Sequence, residues 1–261
     1  RFRGREVLSL IRNIDGAANL SELNTMRQEV EKVLRVLMAD GAMASQACKI
    51  VSEFNDKVVK RVIELAADAC GQPPFNFAWL GLGSEGRREQ TLFTDQDNAI
   101  IFEDHPSANN LEYFKRLSKR IVLGLNECGI PLCKGDVMAT NPKFFGSLSD
   151  WKERTASWIK SFDLSESEIM DTYVFLDFRS IHGDQGLEFE LKKHTNALVS
   201  QYPFFLKTLA ESIEFSPEEV TAIDTELDEL ESPMIEDEVV LPQASAETVE
   251  QAASFDLEDQ D

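Results

Sequence analysis

Two short apolar runs, FAWLGLG at residues 77–83 and NAIIFE at residues 98–103, constrain the fold of this chain more than any other feature. Each run has the length of a buried strand and is too short for a helix. The segment between them is mostly polar and offers no apolar face that could lie against a sheet. The pattern therefore predicts two strands joined by a short polar turn.

Three glycines in and after the first run, Gly81, Gly83 and Gly86, form the GxGxxG pattern of dinucleotide-binding folds. Glu103 and Asp104 even stand roughly where such a fold places the acid that binds the ribose. That fold also needs a full crossover helix between its first two strands, and the intervening turn is too short and too polar to form one. No GxxxxGK[ST] motif occurs in the chain, which excludes a Walker-type phosphate loop.

Asp95 and Asp97 stand at the start of the second predicted strand, with Gln96 between them. Side chains two positions apart on an extended chain point the same way, so the two carboxylates face one site. Neighbouring carboxylates repel each other unless a cation compensates them, and oxygen ligands of this kind suit Mg²⁺. A turn in which aspartate caps backbone groups would explain one of these residues but not both. The pair therefore predicts a metal site.

The residues before the aspartates supply groups that bind phosphate. Gly83 lets the backbone approach a phosphate closely, and Ser84 offers a hydroxyl and an amide. Arg87 and Arg88 stand on the same turn, and a guanidinium can bind a phosphate through two hydrogen bonds. One of the two arginines could instead pair with a glutamate of the same turn. We therefore expect only one of them to contact a nucleotide.

Apolar periodicity predicts two long helices before the strands, at residues 20–39 and 45–69, which would form an antiparallel hairpin. After the strands the pattern predicts a helix at 111–127, a third strand at 133–139, and helices at 148–161, 165–180, 185–199 and 203–213. In this last part we expect Asp177 and Arg179 to form a buried ion pair or a contact at a helix end. A contact with nucleotide or acceptor is the alternative.

The net charge of −21 does not describe the whole chain. Residues 214–261 are rich in Asp and Glu and contain no Lys or Arg, whereas the remainder is nearly neutral. This acidic segment is predicted to be disordered, and its charge disfavours binding to nucleic acid. The four cysteines form no CxxC pair, so a zinc site is not expected and Cys128 and Cys133 are predicted to be inert.

The first residues and the hydropathy of the chain indicate what kind of protein it belongs to and where that protein acts. The sequence starts Arg1-Phe2-Arg3-Gly4, without an initiator Met or an apolar signal segment, which predicts a piece of a longer protein. No stretch approaches the roughly 18 consecutive apolar residues that span a bilayer, so no membrane partner is expected. Reduced cysteines are typical of a cytoplasmic protein.

Gly83-Ser84 followed by Asp95-x-Asp97 resembles the GS-x(n)-DxD signature of the DNA polymerase β-like nucleotidyltransferase superfamily. The longer string GSEGRREQTLFTDQDNAI is similar to a nucleotidyltransferase family related to the amino-terminal domain of protein-PII uridylyltransferase. GDVMATNPKFFGSLSDWKERTASWI and FLDFRSIHGD are similar to the helical substrate-binding domain that follows in that family. The likeness covers about residues 20–213 and is far more specific than the glycine pattern.

The resemblance implies an α+β fold, in which a small mixed β-sheet core is flanked by an N-terminal helical hairpin and a C-terminal helical bundle. The implied segments are a helical hairpin or connector at 1–72, a nucleotidyltransferase core at 73–142, a helical substrate-binding domain at 143–213 and an acidic tail at 214–261. In that family, CBS-type or cyclic-nucleotide-binding domains commonly precede this unit. The helical domain also continues further in the family than it does here.

The resemblance further implies Mg²⁺-dependent transfer of a nucleotidyl group from a nucleoside triphosphate, ATP or UTP, to a protein or small-molecule acceptor. Asp95 and Asp97 would hold the metal, while Gly83-Ser84 and an arginine would bind the phosphates. Asp136 in KGDVMA is the candidate for the third carboxylate that superfamily members generally use. Relatives in this subfamily often have a small residue at that point, so a site without a third carboxylate is the alternative.

Two other functions stay open at this stage. The chain could be a nucleotide-binding regulatory module without turnover, coupled to upstream sensory domains in signal transduction, because the role of Asp136 is undecided. It could also be an interaction protein that uses its acidic tail, although the intact Asp95 and Asp97 disfavour that reading. The hairpin at 20–70 could form a homodimer.

Overall fold

The computed structural model describes residues 9–104, 107–161 and 165–212. The predicted acidic tail lies outside the described residues. The helices, in chain order, are α1 Leu20–Ala39, α2 Ala44–Cys70, α3 Gly83–Arg87, α4 Ala108–Glu127, α5 Leu148–Lys160, α6 Glu166–Leu176, α7 Gln185–Gln201 and α8 Pro203–Ser212. The strands are β1 Phe77–Gly81, β2 Asn98–Phe102, β3 Phe145–Ser147 and β4 Arg179–Gly183, and short 3₁₀ turns lie at Ile14–Gly16 and Pro142–Phe144.

Polar caps explain where several helices begin and end. At the start of α1, the side chain of Asn19 accepts a hydrogen bond of 3.0 Å from the backbone N–H of Glu22. Ser147 and Asp150 form a reciprocal capping box at the start of α5. Helix α2 ends at Cys70 and is followed by Gly71, whose φ of 86° is readily adopted only by glycine. The long helices predicted on either side of the first two strands are confirmed.

The four strands form one sheet in the order β3-β2-β1-β4. Strand β1 pairs antiparallel with both β2 and β4, and β2 pairs parallel with β3. The sheet is therefore mixed, and the α+β class implied by the resemblance is confirmed. The central strands β1 and β2 are buried along their whole length.

Each face of the sheet contributes to a different apolar core, because successive side chains on a strand point to opposite faces. Trp79 and Ile100 face a cluster formed mainly with α1, α2 and α4. Leu80 and Ile101 face a second cluster, which contains residues of α5, α6 and α7. Trp151 lies at the centre of that second cluster and stacks on an aromatic ring of α6.

Two of the predicted elements are wrong. Residues 133–139 form a turn rather than the third strand, because Asp136 takes a left-handed φ of 55° that interrupts extended backbone. The third strand in chain order is β3, which pairs with β2. The helix predicted at 165–180 ends at Leu176, and the chain then enters β4, which pairs with β1. Strand β4 lies in the span that the sequence assigned to the helical substrate-binding domain.

No helix in the described ranges is both long and apolar enough to cross a membrane.

Candidate functional site

The pairing of the strands brings three segments to one end of the sheet. Because β1 is antiparallel to both neighbours, its last residue, Gly81, lies opposite the first residues of β2 and β4, Asn98 and Arg179. The ladder continues one step further, since the N–H of Leu82 donates to the carbonyl oxygen of Asp97 at 2.9 Å. The Gly83-Ser84 turn that leaves β1 and the aspartates that lead into β2 are therefore neighbours.

Gln96 divides the two aspartates and fixes their direction. Its side chain is buried and its Nε2 donates to the carbonyl oxygens of Val122 at 3.1 Å and Ile130 at 2.9 Å. Asp95 and Asp97 on either side of it are only half-buried. The side-chain amide of Gln96 thus lies in the core, and Asp97 is close enough to Asp95 for the charge of Asp95 to affect its pKa.

The carboxylate of Asp97 lies at the Gly83 turn. A Cβ added to Gly83 would stand 3.6 Å from Asp97 Oδ2, and 3.4 Å from a methyl of Val174 in α6. Burial raises the pKa of Asp97, a hydrogen bond from the thiol of Cys133 opposes that shift, and the charge of Asp95 raises the pKa further. The outcome is a raised pKa, and a bound cation would remove the like-charge contribution to it.

Gly83 and Ser84 begin α3 directly after Leu82, which ends the first apolar run. Gly83 has a φ of 47°, in the left-handed region that glycine adopts without strain. The first N–H groups of a helix have no partner inside the helix, so this turn presents donors to an anion. Ser84 is half-buried and Gly83 is buried.

The two arginines of the turn have different surroundings. Arg87 binds Glu89 through Nε at 2.7 Å and also binds Asp177 through Nη1. Arg88 is exposed, has a left-handed φ of 60°, and forms no ion pair recorded within the described ranges. The guanidinium of Arg87 is thus already engaged by carboxylates. That of Arg88 is available to a ligand.

Asp136 lies beside this end of the sheet on an exposed turn. Two backbone bonds hold that turn against the aspartate segment, because Gln96 N–H donates to Pro131 O and Asn98 N–H donates to Val137 O, each at 3.0 Å. Among the residues that the structure describes, no group of three His, Cys, Asp or Glu side chains is arranged to hold a metal. The turn that carries Asp136 is therefore bonded to the segment that carries Asp95 and Asp97, but the three carboxylates do not form one metal-binding group.

The donor set formed by Asp95 and Asp97 fits a hard divalent cation. Both donors are carboxylates, and Mg²⁺ commonly takes one or two carboxylates together with substrate phosphates. The nearby Cys133 is not a competing ligand, because burial first and the charge of Asp97 further raise the pKa of its thiol to about 11. A protonated thiol is a hydrogen-bond donor rather than a metal ligand. The carboxylate type of both donors is therefore compatible with a magnesium ion.

Sequence reasoning missed several residues of this site. Cys133 was predicted to be inert and its thiol is indeed protonated, but the sequence did not predict its hydrogen bond to Asp97. Glu85 is only 5% exposed, and burial, together with repulsion from Asp56, raises its pKa to about 8 although Arg179 opposes the shift. No sequence motif identified these residues. The one related expectation was a buried ion pair or a helix-end contact of Asp177 and Arg179. In the structure Arg179 forms its buried ion pair with Asp56, whereas Asp177 pairs with Arg87.

Comparison with known proteins gives one match. A sequence model of the family described as "Putative nucleotidyltransferase DUF294" matches residues 28–164, which is more than half of the chain. The matched range contains the Gly83-Ser84 turn, Asp95, Asp97 and Asp136. No curated protein matches the chain.

Proposed function

This chain belongs to the nucleotidyltransferase family DUF294, and from that premise we propose that it catalyses Mg²⁺-dependent transfer of a nucleoside monophosphate from a nucleoside triphosphate to a protein or small-molecule acceptor. In this proposal it acts in the cytoplasm, is uridylyltransferase-like, uses ATP or UTP, and responds to CBS-type domains upstream. The observation that supports it is the placement of Asp97 Oδ2 beside the glycine turn, 3.6 Å from the position of a Cβ on Gly83.

The proposed reaction exchanges the phosphoanhydride bond between the α- and β-phosphates for a phosphate ester bond to the acceptor. An oxygen of the acceptor forms a bond to the α-phosphorus, the bond from that phosphorus to the bridging oxygen breaks, and pyrophosphate leaves. Asp95 and Asp97 would hold Mg²⁺, which when bound offsets the negative charge that builds up on the phosphates. Asp136, exposed on the neighbouring turn, is the candidate base that takes the proton of the acceptor.

The glycine turn would hold the leaving part of the substrate. Gly83 has no side chain to fill the space beside Asp97, and the N–H groups at the start of α3 would donate to the β- and γ-phosphates. Ser84 would add its hydroxyl. Since the donors are fixed before the substrate arrives, they need no reorganisation as charge develops.

We assign the phosphate-binding role to Arg88 rather than Arg87. Arg87 is held by Glu89 and Asp177, and phosphate could reach it only by displacing two carboxylates. Arg88→Gln should weaken triphosphate binding about tenfold, whereas Arg87→Gln should change it less than threefold. Titration of both variants with nucleotide by calorimetry gives the comparison. A larger loss in Arg87→Gln would reverse the assignment.

The activity is tested with α-³²P-labelled ATP, CTP, GTP and UTP, Mg²⁺ and a cell lysate that supplies acceptors. We expect label transfer by the wild type and about 10³-fold less by Asp95→Asn or Asp97→Asn. Asp15→Asn is the control, because Asp15 is an exposed carboxylate that pairs with Lys57 and belongs to neither the glycine turn nor the aspartate segment. This variant should transfer label as the wild type does. Transfer that persists in both site variants would exclude these aspartates as the metal ligands.

The exposed position of Asp136 favours a second candidate function, a regulatory module that binds nucleotide without turnover. Such a module would need Asp95 and Asp97 for metal-dependent binding but no base. Mg²⁺-dependent nucleotide binding without label transfer to any acceptor would support this alternative. Label transfer that Asp136→Asn slows without weakening nucleotide binding would support catalysis instead.

A further inference from the structure

The short helix that carries Gly83 and Ser84 is held by an arginine from a distant part of the chain. Arg179, the first residue of β4, donates through Nη2 to the carbonyl oxygen of Glu85 at 2.9 Å and through Nε to that of Gly86 at 3.3 Å. Both carbonyls belong to the last turn of α3, and that of Glu85 also accepts from the N–H of Arg88 at 3.3 Å. Arg179 therefore contacts the opposite end of the same turn that would receive phosphate.

A second residue fixes the direction of this guanidinium. Asp56 of α2 accepts hydrogen bonds from Arg179 Nη1 at 3.0 Å and from Nη2 at 2.8 Å. The two side chains are only 17% and 13% exposed, so the pair is shielded from water. A two-point carboxylate–guanidinium contact sets the plane of the guanidinium as well as its position.

The α3 helix depends on contacts of this kind because it cannot be stable by itself. It has five residues, far fewer than an isolated helix needs. Its first residue, Gly83, and the residue that follows it, Arg88, are left-handed, with φ values of 47° and 60°. Local backbone preference therefore does not determine where the turn points, and tertiary contacts must.

Arg179 is not available to bind a ligand itself. Its donors are directed at one carboxylate and two carbonyl oxygens, and its side chain is largely buried. Replacing it with Lys would keep the charge but would lose the planar set of donors that reaches all three acceptors. Its effect on a nucleotide can only pass through α3.

We propose that Arg179, oriented by Asp56, is a positioning residue that fixes the Gly83-Ser84 turn in the conformation that receives the triphosphate. The inference rests on the proposed function, because it assigns the turn to phosphate. Arg179 touches neither substrate nor metal in this assignment. Loss of Arg179 should loosen α3 and lower affinity for nucleotide while the rest of the sheet persists.

The test compares Arg179→Gln with Arg61→Gln. Arg61 is a matched control, because it pairs with Glu64 at 2.6 Å and donates to the carbonyl oxygen of Ala17 at 2.8 Å, remote from α3. Amide hydrogen exchange is measured without nucleotide at Gly86 and Glu89, whose N–H groups are hydrogen-bonded within this turn. We expect these amides to exchange at least tenfold faster in Arg179→Gln and at the wild-type rate in Arg61→Gln.

Nucleotide affinity is then measured by calorimetry with Mg²⁺ and the labelled triphosphate that wild type uses, at a temperature well below unfolding of every variant. Arg179→Gln should bind at least tenfold more weakly, and Arg61→Gln should bind as wild type does even if it lowers the melting temperature equally. Unchanged exchange at the two amides, or unchanged affinity, would overturn the proposal.

Asp56→Asn provides a second variant if Arg179→Gln does not fold, because it keeps the guanidinium and changes one oxygen to nitrogen. It should shift exchange and affinity in the same direction by a smaller factor. The double variant should bind no more weakly than Arg179→Gln alone, since both changes act on one contact. A wild type that binds no triphosphate would refute the proposed function, whereas hydrogen exchange would still decide whether Arg179 holds α3.

Discussion

Acidic residues stand at both ends of the sheet, but their surroundings differ between the two ends. At the end remote from the glycine turn, carboxylates follow β2 and β4 and accept hydrogen bonds from neighbouring groups. Glu103 accepts a hydrogen bond from the side chain of Asn76 at 2.7 Å. Asp104 accepts from the backbone and hydroxyl of Ser149 at the start of α5, and Asp184 caps α7. Each acid at this end has donors.

At the glycine-turn end, carboxylates face each other instead. Asp97 is near Asp95, and Glu85 is near both Asp56 and Asp97. Burial and like charge raise the pKa of Asp97 and of Glu85. For Asp104, burial alone would raise the pKa, but the hydrogen bonds from Ser149 outweigh it and the pKa is lowered.

This difference separates a structural acid from an acid that needs a ligand. The donors of Asp104 stabilise its charged form, whereas burial and the charge of Asp95 leave Asp97 with a raised pKa despite its hydrogen bond from Cys133, and a bound cation would lower that pKa. Glu103 and Asp104 are the residues that a dinucleotide-binding interpretation would have used. They stand at the far end of β2 from the glycine turn, so they cannot share a ligand with it.

The largest expected effect is on catalysis. Asp97→Asn should reduce label transfer by about 10³-fold, because the loss of one metal-binding carboxylate removes several kcal/mol of charge stabilisation. Glu103→Gln, the equivalent change at the other end, should reduce it less than twofold. Transfer rates at saturating nucleotide provide the measurement. Equal losses in the two variants would remove the functional distinction between the ends.

The next effect concerns how closely the backbone is packed at the glycine-turn end. A Cβ at Gly86 would lie 1.8 Å from the carbonyl oxygen of Asp177, and neither main chain can move without displacing α3. Gly86→Ala should therefore lower the free energy of unfolding by about 3 kcal/mol or more. Urea denaturation measures the change.

Gly16→Ala is the control for that substitution, because an added Cβ there meets nothing within 4 Å. We expect it to change stability by less than about 0.5 kcal/mol. If Gly86→Ala were equally mild, α3 would be able to move away from Asp177, and the turn would not be fixed as described.

The pKa shifts of Glu85 and Asp104 have opposite signs, so the two residues should make the free energy of unfolding depend on pH in opposite directions. The pKa of Glu85 is raised from an ordinary value of 4.5 to about 8, so in this interval the unfolded chain loses a proton that the folded protein retains. The free energy of unfolding should fall as pH rises through this window, by up to about 1.4 kcal/mol per pH unit, and level off above about 8. Glu85→Gln should remove this fall.

Asp104→Asn gives the reverse case. The lowered pKa of Asp104 stabilises the folded protein above about pH 4, and that stabilisation is lost as pH falls through the folded value. The variant should therefore differ from wild type above pH 4 and converge with it in acid. Urea denaturation between pH 3 and pH 9 tests both variants. A Glu85→Gln profile parallel to that of wild type would contradict the buried-acid assignment.

The sequence was sufficient for those parts of the molecule that depend on local pattern. Apolar periodicity gave the helical hairpin and α4, and the two apolar runs gave β1 and β2. The alternation around Gln96 followed from the period of an extended chain. Cap residues and glycines then place the helix ends within a few positions.

The parts that depend on distant contacts could not be read from the sequence. Asp56 and Arg179 are separated by 123 positions, and no spacing rule relates them. The first two residues of β4 were predicted as the end of a helix and the other three were assigned to no element, because only the pairing with β1 defines this strand. Residues 133–139 were predicted as a strand, and a left-handed Asp136 instead turns the chain there.

The smallest expected effect comes from Cys133, whose thiol donates to Asp97. Cys133→Ala removes a donor that stabilises the charged carboxylate, so the pKa of Asp97 should rise further above its ordinary range. A larger fraction of Asp97 would then be protonated, and the Mg²⁺ concentration needed for nucleotide binding should increase about threefold, since a thiol is a weak donor.

The increase should be larger at pH 6 than at pH 8. Cys133→Ser restores a donor and should return the requirement to the wild-type value at each pH. An equal deficit in both variants would mean that Cys133 acts through packing, and a deficit that grows with pH would contradict its action on the charge of Asp97.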